Sequence, residues 1–304
     1  MTDPAPLPDW RQANPNRIAR SLDRALGRPS GGWFVLGASR EVRPGPRRYR
    51  VQDRDLVAWR PGDGELRVAP DTCPHMGASL ARGRVEGACV VCPWHGLALD
   101  GSPHGAWRAI PAHDDGVLLW ARLDAAGEAG ADPPTDGPIL AARPERYVDA
   151  VMRTDAVCEP RDVIANRLDP WHGVHFHPYA FDRLEVIEAT GDELHLDVTY
   201  KLGGRIRLPV KSRFHCPDPR TIVMTILDGE GAGSVVETHA TPISPGRTAI
   251  VEATFATSDR PGFRHLLARP GLMRWIIGRA SRRLWIDDAA YAERLYEVRS
   301  APRQ

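Results

Sequence analysis

N-R-L-D-P-W-H-G-V-H-F-H-P, residues 166–178, is the stretch from which the rest of the chain can be read. It sets two imidazoles, His172 and His177, five positions apart, with Asp169 three before the first and Asn166 three before that. On a helix, residues three apart share a face, so Asn166, Asp169 and His172 are expected in one stripe. His177 falls well round such a helix from His172. Gly173 and Pro178 loosen or stop the helix, which lets both rings converge on one ion. Two neutral imidazoles plus a carboxylate from elsewhere make a ferrous site with open positions. Taken alone, the stretch also admits a zinc site from His172, His175 and His177, or polar packing at a helix end.

Working outward, the 304 residues suggest about two domains and a substantial core. A hydrophobic fraction of 42% and a charged fraction of 26% are those of an ordinary globular chain. The net charge of +1 argues neither for nucleic acid nor for an anionic membrane surface as a partner. Nearly all the positive charge is arginine; the lysines are Lys201 and Lys211. No apolar run reaches the ~18–20 residues that span a bilayer. The opening M-T-D-P-A-P-L-P-D-W lacks the basic and apolar regions of a signal peptide. Five cysteines at 73, 89, 92, 158 and 216 show no disulfide-scaffold pattern, so a reducing cytoplasm is expected.

Residues 1–30 read as a leader with a helix from Asn16 to Leu26 that packs on another part of the molecule. From Gly31, short runs such as W-F-V-L-G, R-Y-R-V-Q, L-V-A-W-R and E-L-R-V-A are punctuated by glycine and proline, the pattern of a small antiparallel β-domain. Two loops in it carry a second metal signature. Cys73-Pro-His75-Met-Gly77 and Cys92-Pro-Trp-His95-Gly96 each offer one thiol and one imidazole. Zinc is the competing reading, because Cys89-V-V-Cys92 is itself a C-x2-C. A one-residue C-x-H spacing is unusual for zinc, and the paired loops leave Cys89 over as a buried strand thiol.

The paired loops resemble a Rieske [2Fe–2S] domain, in which two thiolates hold one iron and two imidazoles the other. The resemblance implies Cys73, His75, Cys92 and His95 as cluster ligands. Ala78 and Trp94 stand where respiratory Rieske proteins carry an extra disulfide, so the match is to the oxygenase type. A-W-R-A-I-P and V-L-L-W-A-R-L are expected to close this domain, which we bound at 31–123. Residues 124–146 have a linker's composition, and 147–304 form the second domain. There a helix from about Arg161 leads into the 166–178 stretch, followed by six strand-like runs from R-L-E-V-I-E-A-T to A-I-V-E-A-T-F-A-T. D-G-E-G-A-G among them reads as a hairpin turn. The period then lengthens to helical from Arg260 onward. A meander capped by a long C-terminal helix resembles the helix-grip (START-like) catalytic domain of Rieske oxygenases, giving an α+β fold overall. Arg269 to Arg283 reads as a solvated helix face in preference to a lipid-lying one.

Within that resemblance, N-x2-D-x2-H-x4-H matches at Asn166, Asp169, His172 and His177. It implies mononuclear Fe(II) on His172, His177 and Asp288, with Glu293 following and Asp287 as the fallback ligand. His175 lies outside the pattern and is expected to line the site. A head-to-tail homotrimer is implied, in which Asp169 joins cluster ligand His95 of one copy to His172 of the next, with Asn166 beside the iron ligands. The chain has no G-x-G-x-x-G unit after a strand, so an NAD(P)H-dependent reductase, with or without a ferredoxin, is expected to supply electrons. Dioxygen is the co-substrate, and the organic substrate is expected to be apolar, with Val174, Phe176, Phe181 and Leu184 flanking its pocket. Monohydroxylation, dihydroxylation, demethylation and desaturation stay open. So do two other readings: a Rieske electron carrier fused to a hydrophobic-ligand domain without the second iron, and a zinc-stapled binding protein.

Overall fold

The computed structural model describes residues 9–43, 45–62, 64–123, 133–190, 193–202 and 205–302. Two short helices come first, α1 (Asp9–Gln12) and α2 (Pro15–Leu26). Asn14 caps α2 by accepting the amide hydrogens of Asn16 and Arg17 at 3.0 and 3.3 Å, and Pro15 suits the first turn. Nine strands follow: β1 (Trp33–Ala38), β2 (Arg47–Val51), β3 (Arg54–Trp59), β4 (Arg67–Pro70), β5 (Arg84–Glu86), β6 (Cys89–Val91), β7 (Ala98–Leu99), β8 (Ala112–Asp114) and β9 (Leu118–Arg122). They form three small antiparallel sheets, ordered β1-β9-β8, β2-β3-β4 and β5-β6-β7.

Next come β10 (Val148–Ala156), α3 (Pro160–Arg167), α4 (His172–Phe176), β11 (Phe181–Thr190), β12 (Glu193–Leu202), β13 (Ile206–Asp218), β14 (Thr221–Gly229), β15 (Val235–Ser244) and β16 (Arg247–Ala256). The chain ends in α5 (Phe263–Ala268) and α6 (Pro270–Ser300). One antiparallel sheet holds the large part in the order β10-β16-β15-β14-β13-β12-β11. The buried residues of α6, namely Ser281, Trp285, Asp288 and Ala292, recur at helical spacing and make the face that grips the sheet. An aspartate in that stripe is out of place for packing alone.

Several expectations need correction. The six-run meander has a seventh strand, because β10 crosses back to pair with β16 from Val148↔Ala256 to Ala156↔Thr248. The run A-W-R-A-I-P is not a strand. It makes isolated bridges at Trp107 and Ile110, and the closing strand is β8. Cys89 is half-buried on β6, not buried. Asn166, Asp169 and His172 do not share one helix, since α3 ends at Arg167 and α4 opens at His172. The break falls at Asp169-Pro170, where the proline ring disfavours helical geometry in the residue before it and supplies no amide hydrogen. Of the expected linker, residues 124–132 lie outside the described residues.

The two parts are joined by a shared core. Trp33, Val35, Leu118 and Trp120 pack with Val223, Val235, Val251 and Phe255 of the large sheet. Linker residue Arg143 binds Glu237 of β15 through two hydrogen bonds of 2.7 Å and reaches Asp115 of the small part at 3.1 Å. At the β2–β3 turn, Gln52 and Asp53 both adopt positive φ (48° and 59°), as a two-residue hairpin of this hand requires. Their amide hydrogens point to the carbonyls of Pro242 and Ile243, each at 2.9 Å, so the hairpin tip also ties the small part to β15.

Candidate metal centres

The chain break at Pro170 builds the first centre. Asn166 lies in the last turn of α3, His172 opens α4, and His177 lies just past the end of α4. From the opposite side, α6 presents Asp288. The Nε2 atoms of His172 and His177 lie 3.1 and 2.9 Å from the same carboxylate oxygen, Asp288 Oδ1. One donor atom from each of the three residues falls within 4.8 Å of the others. Asn166 Nδ2 donates to that oxygen at 3.1 Å. Further along, Arg299 of α6 binds Asp162 of α3 at 2.9 Å and holds the two helices in register.

His177 and Asp288 are buried, and His172 is half-buried. Burial by itself would raise the Asp288 carboxyl, but hydrogen bonds from both imidazoles and the nearby Arg167 charge hold it well below the usual carboxylate range. It is therefore an anion facing two nitrogens. His172 Nδ1 makes a short contact with the Asp169 carbonyl, which holds the ring with Nε2 toward the centre. Asp287 points elsewhere: Tyr179 donates to its Oδ2 at 2.7 Å, and that oxygen lies 3.5 Å from His177 Nδ1. Glu293 accepts the Val157 amide hydrogen at 2.8 Å, a structural contact.

Asp169 sits at the surface end of the centre. Its Oδ2 accepts the Tyr291 hydroxyl at 2.8 Å, and its Oδ1 is buried with no hydrogen-bond partner among the described residues. Tyr291 also stacks on His172, with ring centroids 5.1 Å apart. Burial and the Asp169 charge push its phenol far up, so it stays a donor. Tyr291 is not among the residues expected from sequence, although its place three after Asp288 on one helix was a usable signal. His175 is turned away from the centre and pairs with Asp9 of α1 at 2.9 Å, and Trp171 donates to Gln12 at 3.2 Å. The leader thus borders an open groove of ≈ 650 Å³ that reaches Asp169 and His172. Of the expected pocket residues, Phe181 and Leu184 pack in the core beneath Gly173, while Phe176 is exposed beside Tyr291.

The second centre lies between two loops of matching backbone. Cys73 donates its amide hydrogen to Ala78 and its carbonyl accepts from Gly77; Cys92 does the same with Leu97 and Gly96. Gly77 and Gly96 take φ of 81° and 73°, a conformation that side-chain-bearing residues rarely adopt. Both thiols are buried, whereas His75 and His95 are exposed with ring centroids 4.9 Å apart. Burial pushes the Cys73 thiol up. Cys92 goes down in spite of its burial, because the amide hydrogens of Trp94 and His95 and a hydrogen bond from Cys73 favour its thiolate. Two inner sulfurs and two outer imidazoles fit a two-iron cluster with unlike ends. Two imidazoles and a carboxylate at the first centre fit one ferrous ion.

Residues 32–123 match the Rieske [2Fe-2S] domain, and residues 129–303 match a family described as a domain of unknown function, DUF5914. The chain belongs to the DUF5914 family, with a Rieske [2Fe-2S] domain ahead of that part. The oxygenase component of chloroacetanilide N-alkylformylase from Rhizorhabdus wittichii is 30% identical over 179 residues, which cover 52% of this chain and 49% of that relative. The oxygenase component of dicamba O-demethylase from Stenotrophomonas maltophilia is 28% identical over 184 residues, covering 53% and 52%. The chain thus spans about half the length of these curated relatives. A crystal structure of dicamba monooxygenase bound to 3,6-dichlorosalicylic acid superposes with a TM-score of 0.67 at 19% identity, over 90% of this chain and 92% of that one. That likeness gives this family member its fold: small antiparallel Rieske sheets followed by a larger antiparallel sheet with C-terminal helices.

Proposed function

We propose that this chain is the terminal oxygenase component of a multicomponent system, using dioxygen and electrons from a separate reductase to hydroxylate or oxidatively demethylate an apolar organic substrate. One observation carries the proposal: the buried, anionic Asp288 oxygen faces the Nε2 atoms of both His172 and His177. When bound, a cluster supplies electrons singly and a ferrous ion activates dioxygen. Cys73, Cys92, His75 and His95 hold the former, and His172, His177 and Asp288 the latter. Asn166 and the Asp169 carbonyl keep the ligating atoms aimed. No residue of a dinucleotide-binding loop is available in the chain, so a reductase, directly or through a ferredoxin, is the partner.

A head-to-tail homotrimer is part of the same reading. The cluster loops end in exposed Met76, Trp94, His75 and His95, and Asp169 Oδ1 is buried without a partner among the described residues. In such a ring the exposed His95 of one copy meets Asp169 of the next, the aspartate that Tyr291 orients. Five cysteines with no disulfide among the described residues suit a cytoplasmic setting.

Metal analysis tests the core of the proposal. Red-brown protein with about three irons per chain supports an oxygenase, while about two irons marks an electron carrier without the mononuclear site. Colourless, zinc-bearing protein overturns both. Oxygen uptake matched by a hydroxylated product, with a surrogate reductase, completes the test.

A further inference from the structure

The stretch Arg260–Ile286 holds seven arginines and no aspartate or glutamate. Its sequence suggested a solvated face, but the structure turns large apolar side chains outward among the charges. Along α6, Leu272, Trp275, Ile276, Arg279, Arg282, Arg283 and Ile286 are all exposed and share one side at helical spacing. Leu272 is 68% exposed, Trp275 63% and Ile286 67%. Leu266 of α5 is also exposed. From Leu272 to Ile286 the outward side of α6 therefore carries large apolar side chains among its arginines, a pattern that points to a second apolar medium.

The charges narrow what that medium is. Arg260 pairs with Glu230, Arg274 with Asp149, and Arg283 covers the Tyr179 ring. Arg264, Arg269, Arg279 and Arg282 are exposed and form no side-chain ion pair among the described residues. A two-fold contact with a second copy would set these arginines against themselves, with no acid in the stretch to receive them. A surface that is anionic outside and hydrocarbon beneath satisfies both features. Tryptophan, leucine and isoleucine enter the acyl boundary while arginines reach back to the headgroups.

We infer that the α5–α6 corner is a docking surface for an anionic lipid bilayer. The bilayer is met at the interface and not crossed, since no helix among the described residues is long and apolar enough to span it. What the docking serves rests on the oxygenase reading above. Ile276 and Asp288 lie on one continuous helix, twelve residues or roughly 18 Å apart. An apolar compound dissolved in the membrane would thus be held near the helix that carries the iron-binding carboxylate.

Vesicle sedimentation of the purified full-length protein tests the docking without requiring iron turnover, so it can fail or succeed apart from the oxygenase reading. The expected result is co-sedimentation with phosphatidylcholine vesicles containing about one-third phosphatidylglycerol, about tenfold above pure phosphatidylcholine and weakened by high salt. The double variant Leu272→Ser/Trp275→Ser should lose that binding. So should Arg279→Glu/Arg282→Glu, which removes charge while leaving the apolar residues and the fold's interior alone. An unchanged cluster absorbance certifies that each variant is folded. No binding by the unaltered protein, or equal binding by both folded variants, overturns the inference. So does light scattering that shows this face closed by a second copy, with Leu272→Ser/Trp275→Ser lowering the mass.

Discussion

Tyr291 donates its hydroxyl hydrogen to Asp169 Oδ2 at 2.8 Å while its ring lies flat against His172. A residue of α6 thereby orients the aspartate that the proposed trimer places between two metal centres. The contact is indirect: Tyr291 offers no atom to the His172–His177–Asp288 set itself. Tyr291→Phe keeps the stacking and removes the hydrogen bond, which for a charged acceptor is worth about 1.5–3 kcal/mol. Iron content should stay at the unaltered level while turnover falls by about tenfold or more, because the aspartate is less firmly held. Loss of iron in this variant, or unchanged turnover, would show that the phenol does not position Asp169.

Neighbouring acids on α6 are separated by their directions. Asp288 faces both Nε2 atoms, whereas Asp287 takes the Tyr179 hydroxyl. Asp288→Ala should remove the mononuclear iron and leave the cluster, so iron falls from about three to about two per chain with the visible spectrum intact. Asp287→Asn should retain all of it. The reverse pattern, read by metal analysis, would move the ligand assignment to Asp287.

How much of this was legible in the sequence depended on the range of the interaction. Candidate ligands within one loop, such as Cys73 and His75, are set by local turn chemistry and leave a short spacing to read. Asp288 was reachable because its helix is long and its motif resembles a known one. Three features escaped, the first because its cause is distant. Strand β10 pairs with β16 about a hundred residues later, and nothing near Val148 announces that partner. Asn166, Asp169 and His172 read as one helical stripe from their spacing, although Asp169-Pro170 breaks the helix between them. Arg269 to Arg283 reads as a solvated face from its arginines, and only the structure shows that Leu272, Trp275 and Ile276 face outward among them.

Cys89 lies one strand-length from Cys92, so the zinc alternative makes an opposite prediction about it. In the structure Cys89 is half-buried on β6 and Cys92 sits in the loop beyond, with its sulfur toward Cys73. Cys92→Ser should abolish the visible spectrum of a Rieske centre, since an alkoxide does not replace the thiolate on iron. Cys89→Ser should leave that spectrum unchanged. Bleaching by the second substitution would return the C-x2-C zinc reading.

The Arg143 lock between the two parts gives a stability prediction with a definite sign. Arg143, Glu237 and Asp115 are all largely buried, and His239 contacts Glu237 at 3.2 Å. Burial would raise both carboxyls, but hydrogen bonds from Arg143, with His239 on Glu237 and the Leu118 amide and Trp120 on Asp115, hold each of them low. Both therefore titrate lower in the folded chain than in the unfolded one, whose range lies near pH ~4. The stability they contribute is present above that range and fades as pH falls through their folded values. Arg143→Met leaves two buried carboxylates without their cation and should cost about 3–5 kcal/mol at neutral pH. In that variant the carboxyls no longer titrate low, so protonation begins at higher pH. Protonation also relieves the uncompensated charge, and the variant's deficit relative to the unaltered protein should shrink as pH drops toward ~4. Denaturant titrations of both proteins at several pH values measure this. A deficit that is constant with pH, or that grows in acid, would mean that Arg143 holds the parts together by packing on Phe255 and not by charge.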